Sequence, residues 1–175
     1  MSTPHPVSSS PSVRQPTDSV VRIELCREEN VVAVTQLADE ALGVGYLDMR
    51  MFRLDHCLVA LSAQQVVGFI CTQCTDCQAS LQTVVVHPAF RGQGIARLLG
   101  LEALSRFSTC VSWTSPAWEH NGKVPADKLL RALGFEPVFR AEDYWYADSV
   151  RRGYDCPVCG NPCHCSAVIY GRPSF

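Results

Sequence analysis

The sequence predicts an α/β fold, an α+β mixed sheet of about seven mostly antiparallel strands flanked by helices. Two observations predict it. Short β-branched runs separated by polar turns fill the first half of the chain, as expected of antiparallel hairpins. In the middle, an apolar strand, a glycine-containing loop and a helix with one broad apolar face precede another strand, which predicts one central parallel β-α-β crossover.

Apolar periodicity, caps and turn residues assign the elements in chain order. The first half contains a strand, two helices and a hairpin: Val20–Leu25, a helix that Asn30 caps and Gly43 ends, a short helix from Met49 to Leu54, and two strands divided by Gln64-Gln65. The second half contains four strands and two helices: Leu81–Val86, Ile95–Phe107, residues 109–113, Pro125–Leu133, a strand from Phe135 toward Tyr144-Trp145-Tyr146, and Ser166–Arg172.

The composition fits one globular domain behind a tail. Hydrophobic residues make up 47% of the chain, charged residues 18%, and the formal net charge is −2, which argues against nucleic-acid or membrane-surface partners. Residues 1–19 are rich in Ser and Pro and lack the apolar run of a signal peptide, so we expect a flexible tail. Residues 20–175 form the expected domain, and a cytoplasmic location is expected.

The most specific pattern is the loop Arg91-Gly92-Gln93-Gly94-Ile95-Ala96, between a strand and a helix. Its two glycines permit backbone conformations that are closed to other residues. The helix start adds unpaired N–H groups and the positive end of a dipole. Together these features predict a phosphate or pyrophosphate site, to which Arg91 and Arg97 add charge. For the two glycines alone, an ordinary strand-to-helix turn is the alternative.

The wider string V-x-P-x-x-R-G-x-G-I-A resembles the coenzyme A signature of the GNAT (Gcn5-related N-acetyltransferase) family. Leu133-Gly134-Phe135 resembles the L-G-F with which that family's fourth helix ends. A Walker loop and a dinucleotide fingerprint are excluded, because the Gly-Lys-Ser/Thr ending and the G-x-G-x-x-G spacing are both missing. The order of elements from Val20 to Arg172 is similar to the family as well.

The resemblance implies direct transfer of an acetyl group from acetyl-CoA to a primary amine of a small molecule or peptide. It leaves open whether the chain forms a homodimer. It also implies two sets of coenzyme-binding residues. The pyrophosphate would lie on Arg91, Gly92, Gln93, Gly94, Ile95, Ala96 and Arg97, and the pantetheine arm along Val84, Val85 and Val86.

The residues for proton transfer depart from the family pattern. Gln82 stands where many members have a glutamate base, and Leu130 where many have a tyrosine acid. Glu119, His120 and Tyr144 are the candidate substitutes, although surface or packing roles also explain each of them. A non-catalytic acyl-CoA-binding or zinc-stabilised interaction module is therefore the alternative function.

The acceptor region is defined less sharply. Residues 42–52 match the segment that borders the family's acceptor pocket, and Asp48 there is a candidate for holding a cationic amine or is simply solvated. Trp113, Trp118 and Trp145 are candidates for an apolar wall, with core packing as the other explanation.

Four of the ten cysteines form the tight pattern C-x2-C-x3-C-x-C at Cys156, Cys159, Cys163 and Cys165, within a loop at 154–166. In the absence of a signal peptide, metal ligation is favoured over disulfides. Four thiolates can hold one structural Zn²⁺ tetrahedrally and leave no open position for catalysis. The neighbouring His164 is an alternative ligand, and buried or disulfide-linked cysteines are the alternative to zinc.

The remaining cysteines give weaker patterns. Cys74 and Cys77 also form C-x2-C, where free thiols are favoured and a second metal half-site or a redox pair stays open. Cys26, Cys57 and Cys110 stand in apolar contexts and are expected to be core thiols.

Overall fold

The computed structural model describes residues 20–47, 53–75 and 77–173. Its elements are β1 Arg22–Leu25, α1 Val31–Leu42, β2 Cys57–Ser62, β3 Gln65–Thr75, β4 Gln78–Val86, α2 Ile95–Arg106, β5 Ser112–Glu119, α3 Asp127–Ala132, β6 Glu136–Ala141, α4 Tyr146–Arg152 and β7 Ser166–Pro173. Within these ranges seven strands form one sheet, in the order β1-β2-β3-β4-β5-β7-β6. The predicted fold class is confirmed.

The β4 and β5 strands run parallel and are joined by α2, whereas the other neighbouring pairs of the described sheet are antiparallel. Their pairing is short and ends at Ser80 opposite Thr114, although β4 stays paired with β3 as far as Val86. The second half of β4 therefore has a strand on one side only, and the sheet opens between β4 and β5. Ser115 on β5 bridges the start of this opening by donating a hydrogen bond of 3.0 Å to the Leu81 carbonyl.

Helices cover the two faces of the sheet separately. On one face, Val34 and Leu37 of α1 belong to a buried cluster that includes Val85 of β4. On the other face, α2 and α3 contribute to a larger cluster, against which Val84 and Val86 pack. This alternation along β4 is the period of two expected of a strand covered on both faces.

The α2 helix and the end of α3 approach closely at Gly100. A Cβ placed on Gly100 would lie 2.4 Å from Cδ1 of Leu133, which is itself buried in the same cluster. The absence of a side chain at position 100 therefore sets the separation between these two segments.

Two predicted strand boundaries were wrong. The sequence predicts the β2–β3 turn at Gln64-Gln65. The turn lies instead at Ala63-Gln64, because Gln65 already pairs with Ser62. Both turn residues have positive φ (47° and 71°). The fifth strand was placed at 109–113, but β5 continues through Pro116 to Glu119. Proline is tolerated where a strand lacks a neighbour, and at Pro116 β5 has left β4.

Two predictions about helices were also wrong. Asn30 does not cap α1 with its side chain; its Oδ1 accepts a hydrogen bond from the Arg27 N–H at 2.9 Å and closes the preceding 3-10 turn. The aromatic run at 144–146 was assigned to a strand, whereas Tyr146 begins α4. The end of α1 at Gly43, with φ 103°, is as predicted.

Three sequence predictions fall on residues outside the described ranges. The tail at 1–19 and Asp48 lie outside them, and so does most of the short helix predicted from Met49, although Leu54–His56 forms a 3-10 turn. No helix in the described ranges is long and apolar enough to cross a membrane.

We expect Gly100→Val to lower the free energy of unfolding by about 1–3 kcal/mol, because the new side chain must displace Leu133. Helix propensity alone would instead raise the free energy of unfolding, since glycine is a poorer helix former than valine. Urea denaturation followed by circular dichroism measures the difference. Ser105→Val is the matched control, because Ser105 is exposed on the same helix. Equal stability of the two variants would contradict the close approach.

Candidate functional site

The glycine loop is joined by a 3-10 turn, Pro88–Phe90, to the half of β4 that has no parallel neighbour. Gly92 and Gly94 have φ values of 78° and 79°, and a Cβ placed on either would meet nothing within 4 Å. These conformations require glycine, and the space above the loop is open. The α2 helix begins at Ile95, so its first-turn N–H groups, which lack intrahelical acceptors, come immediately after the loop. Such an arrangement can hold an anionic group.

Arg91 has a structural role that the sequence did not reveal. Its Nε donates a hydrogen bond of 3.0 Å to the Val86 carbonyl, which ties the loop back to the end of β4. Arg97 lies exposed on the first turn of α2. The loop residues and the valines of β4 therefore lie along one opening, where an extended ligand with an anionic end can be accommodated.

A cavity of about 780 Å³ opens beside Gln82 and Thr83 of β4. The β3 strand also contributes to its lining, and α4 supplies charged residues. Its other lining residues are Tyr46, Leu47, Arg53, His56, Cys71, Thr72, Gln73, Tyr144, Trp145, Asp148, Arg151 and Arg152. Because Gln82 and Thr83 directly precede the valines of β4, a ligand in this cavity lies next to the opening between β4 and β5.

The cavity contains two proton-transfer candidates that no sequence pattern indicates, His56 and Tyr46. His56 is largely buried and packs edge-on against Phe107, with ring centroids 5.3 Å apart. Burial raises the pKa of Tyr46 above its usual value of 10, although a hydrogen bond with Thr83 opposes the shift. Tyr46 is therefore a neutral donor at pH 7. Neither residue stands in a motif, so only the folded chain brings them together.

Of the three catalytic candidates, only Tyr144 lines this cavity. Glu119 is the last residue of β5; its side chain is 13% exposed and forms an ion pair with Arg140. His120 stacks on Trp118 with ring centroids 5.4 Å apart. Their catalytic roles stay predictions.

The two departures from the family pattern have different surroundings. Gln82 is exposed at the cavity, whereas Leu130 is 3% exposed in the core. Leu130 thus stabilises the fold and has no group that could transfer a proton. Trp113 is also buried in the core, while Trp118 and Trp145 line a second, apolar cavity of about 130 Å³.

The four cysteines of the 154–166 loop converge. Their sulfurs all lie within 4.8 Å of one another, and three Sγ–Sγ distances, for the pairs 156–165, 159–163 and 159–165, are 3.5–3.7 Å. A tetrahedral zinc with Zn–S bonds of about 2.3 Å separates its sulfurs by about 3.8 Å. The residues present therefore fit zinc, and the separations are too long for disulfides.

The surroundings of the cluster favour Cys159 over His164 as a ligand. The backbone N–H of His164 donates to Cys159 Sγ at 3.2 Å, while its ring lies 3.0 Å from the carboxylate of Asp143. Within residues 20–47, 53–75 and 77–173, the four-cysteine group is the one whose geometry could hold a metal ion. In contrast, Cys74 Sγ lies 3.1 Å from Cys110 Sγ, and Cys77 is exposed.

Buried hydrogen bonds fasten the cysteine loop to α4. The hydroxyl of Ser149, which is fully buried, accepts from the Cys163 N–H at 2.8 Å. The Asn161 side-chain amide donates to the carbonyls of Ser149 and Tyr154, both at 2.9 Å. The loop also contacts the end of α1, because a Cβ on Gly43 would lie 2.0 Å from the Asp155 carbonyl oxygen.

Comparison with known proteins supports the same family. Residues 53–137 match the family model described as the acetyltransferase (GNAT) domain. A zebrafish (Danio rerio) protein, N-acetylaspartate synthetase, is 36% identical over 93 residues, which are 49% of this chain and 31% of that protein. The chain thus matches less than a third of the length of this relative.

Solved structures have the same fold. Ard1 from Thermoplasma volcanium has a TM-score of 0.68 at 20% identity, with 89% of this chain and 98% of that chain covered. Arabidopsis thaliana Naa50, in complex with the bisubstrate analogue CoA-Ac-MVNAL, has a TM-score of 0.68 at 18% identity, with 89% and 99% covered. At these identities the likeness establishes the fold alone.

We expect Ser149→Ala to lower the free energy of unfolding by about 1–3 kcal/mol, because the buried Cys163 N–H loses its acceptor. Thermal unfolding of the two proteins under identical zinc concentrations measures the effect. Ser105→Ala, the same substitution on the exposed face of α2, is the control and should change stability little. An unchanged Ser149→Ala variant would show that the cysteine loop does not depend on this hydrogen bond.

Proposed function

We propose that this chain, which contains a GNAT acetyltransferase domain, transfers an acetyl group from acetyl-CoA directly to a primary amine of a small molecule or peptide. The observation that carries the proposal is the glycine loop at the start of α2, beside the half of β4 that lacks a parallel neighbour. The matched family segment, residues 53–137, includes both features.

In this proposal the main chain holds most of the donor. The loop from Arg91 to Arg97 binds the pyrophosphate through N–H groups and the helix dipole, and Arg97 adds an exposed positive charge. The pantetheine arm lies along Val84, Val85 and Val86, on the side of β4 that faces the opening. A backbone N–H there polarises the thioester carbonyl and stabilises the developing oxyanion.

The proposed reaction is a direct transfer, in which the protein forms no covalent bond with the acetyl group. The amine nitrogen attacks the thioester carbon, the new C–N bond forms, and the C–S bond breaks to release the coenzyme thiolate. The amine gives up a proton and the thiolate takes one. For a lysine-like amine, deprotonation at pH 7 costs roughly 4–5 kcal/mol. A general base that accepts this proton therefore accelerates the reaction. His56 and Tyr144 line the cavity and are the candidates for moving these protons, while Tyr46 is a candidate acid.

A non-catalytic acyl-CoA-binding module is the second candidate function. Gln82 cannot serve as a base, and Leu130 is a buried core residue. These two positions favour the non-catalytic module. The module would bind acetyl-CoA without forming an acetylated product.

The names of the similar proteins include both small and peptide acceptors. One names aspartate, and the NatC complex structure contains a Gag peptide. Both fit the amine acceptor proposed here, and nucleic acid is not expected as a partner. A cytoplasmic location stays a prediction.

We further propose that Cys156, Cys159, Cys163 and Cys165 hold one structural Zn²⁺, on the basis of their sulfur separations. When bound, zinc would link residues at both ends of the loop and so order the segment between α4 and β7. Burial raises the pKa of the Cys163 thiol, so the metal must displace a proton there. Zinc affinity is therefore expected to fall as the pH is lowered.

The donor site is tested with Gly94→Val. A side chain at position 94 would occupy the open space of the loop, so we expect the Kd for acetyl-CoA to rise on the order of tenfold or more, with loss of acetylated product. Calorimetry measures binding, and mass spectrometry with a panel of amines measures the product.

Gly122→Val is the matched control, because Gly122 also has a positive φ (70°) and open space around it. The Gly122→Val variant carries the same backbone strain and should still bind acetyl-CoA. Wild-type protein that fails to bind acetyl-CoA would contradict the donor site. Binding without a product from any amine would favour the non-catalytic module.

The zinc site is tested by metal analysis of protein expressed with zinc. We expect about one equivalent of zinc per chain, lost in Cys163→Ser and retained in Cys77→Ser, since Cys77 is exposed and outside the cluster. Less than about half an equivalent in the wild-type protein would exclude a structural zinc.

A further inference from the structure

The cavity beside β4 carries an excess of positive charge on a chain whose net charge is −2. Its lining includes three arginines, Arg53, Arg151 and Arg152, and one aspartate, Asp148. Asp148 is shared by two of them, at 2.7 Å from Arg151 and 2.9 Å from Arg152. Arg53 pairs with Asp55 at 2.7 Å, but Asp55 is not part of the lining. Among the described lining residues, the single carboxylate therefore does not balance the three arginines.

Arg152 is held in place before any ligand binds. Its side chain is only 17% exposed, and its guanidinium lies over the rings of Tyr46 and Tyr154, at 5.5 and 5.0 Å from their centroids. Cation–π contacts of this kind fix the plane of the group. The guanidinium has five N–H donors; within the described residues its Nη2 pairs with Asp148, while its Nε is buried and is not counted as a donor for a ligand. A positioned arginine with donors to spare is suited to a carboxylate.

We propose that the acceptor is an α-amine whose side chain carries a carboxylate, and that Arg152, assisted by Arg53 and Arg151, binds this side-chain carboxylate. The inference rests on the proposed function, since it concerns the acceptor of that reaction. The carboxylate end lies toward α4, and the amine lies toward Gln82 and Thr83, next to the opening where the thioester is placed. A purely cationic acceptor such as a diamine meets like charge in this cavity.

The same charge assists the chemistry. Positive groups near an ammonium favour its neutral form, so the arginines that hold the carboxylate also raise the fraction of reactive amine. Binding and activation of the acceptor are thereby performed by the same side chains. An acidic amino acid and a peptide with an acidic first residue both offer this chemistry, and the choice between them is an outcome of the test.

The test measures binding and turnover of four probes with the full chain: L-aspartate, L-asparagine, putrescine and a short peptide beginning with aspartate. Calorimetry in the presence of CoA gives Kd, and thiol release from acetyl-CoA gives kcat/KM. We expect L-aspartate or the acidic peptide to exceed L-asparagine on the order of 10- to 100-fold, as a charge-assisted hydrogen bond predicts. Putrescine should be the poorest. Preference for the peptide would identify a peptide N-terminus as the acceptor.

Arg152→Gln should reduce kcat/KM for the carboxylated probe by a similar factor, mainly through KM, and leave acetyl-CoA binding unchanged. Arg131→Gln is the matched control, because Arg131 also pairs with an aspartate four residues earlier but lies outside the cavity. Should Arg152→Gln fail to fold, Arg53→Gln replaces it, since that side chain is exposed.

Equal binding of all four probes, or better binding of putrescine, would overturn the inference. So would equal losses in the arginine variants for the probes with a side-chain carboxylate and for those without one. These results differ from failure of the proposed function, which appears as absent acetyl-CoA binding or absent product.

Discussion

The departure of β5 from β4 after Ser80 and Thr114 is the constraint on which the rest of the arrangement depends. A buried strand edge must find hydrogen-bond partners, so the unpaired side of β4 is suited to an extended polar ligand. The crossover through α2 returns the chain to the same opening and places the glycine loop at its end. The proposed binding of a long coenzyme thus follows from the strand connection, and few side chains need to be specific for it.

The side of the opening opposite β4 is formed by α4 and depends on the cysteine loop. Short α4 carries Asp148, Arg151 and Arg152 toward the cavity, but a helix of seven residues has little stability of its own. Its position depends on the cysteine loop, through Ser149 and Asn161. The proposed donor and acceptor sides therefore have separate supports: the sheet for the first, and the cysteine loop for the second.

The fold and the conformation of the glycine loop could be predicted because their signals are local. Positive φ requires glycine at positions 92 and 94, and the cysteine spacing is visible in ten residues. Arg152, His56 and Tyr46 could not be found in this way, since they approach one another only through tertiary structure. The α4 helix was missed because Tyr144-Trp145-Tyr146 has strand propensity, which the anchoring of Ser149 overrides. Glu119 has suitable chemistry for a base, but its ion pair with Arg140 is a long-range contact that no spacing reveals.

Gly43 joins two parts of the chain that are more than a hundred residues apart. Since the Asp155 carbonyl occupies the place of its side chain, a larger residue at position 43 can be accepted only if the cysteine loop withdraws. The two segments are therefore expected to vary together among descendants of this sequence. A lineage that loses the cysteines would lose this steric constraint, while the φ of 103° would still favour glycine at position 43, and the proposed acceptor side of the molecule could be rebuilt without disturbing β4.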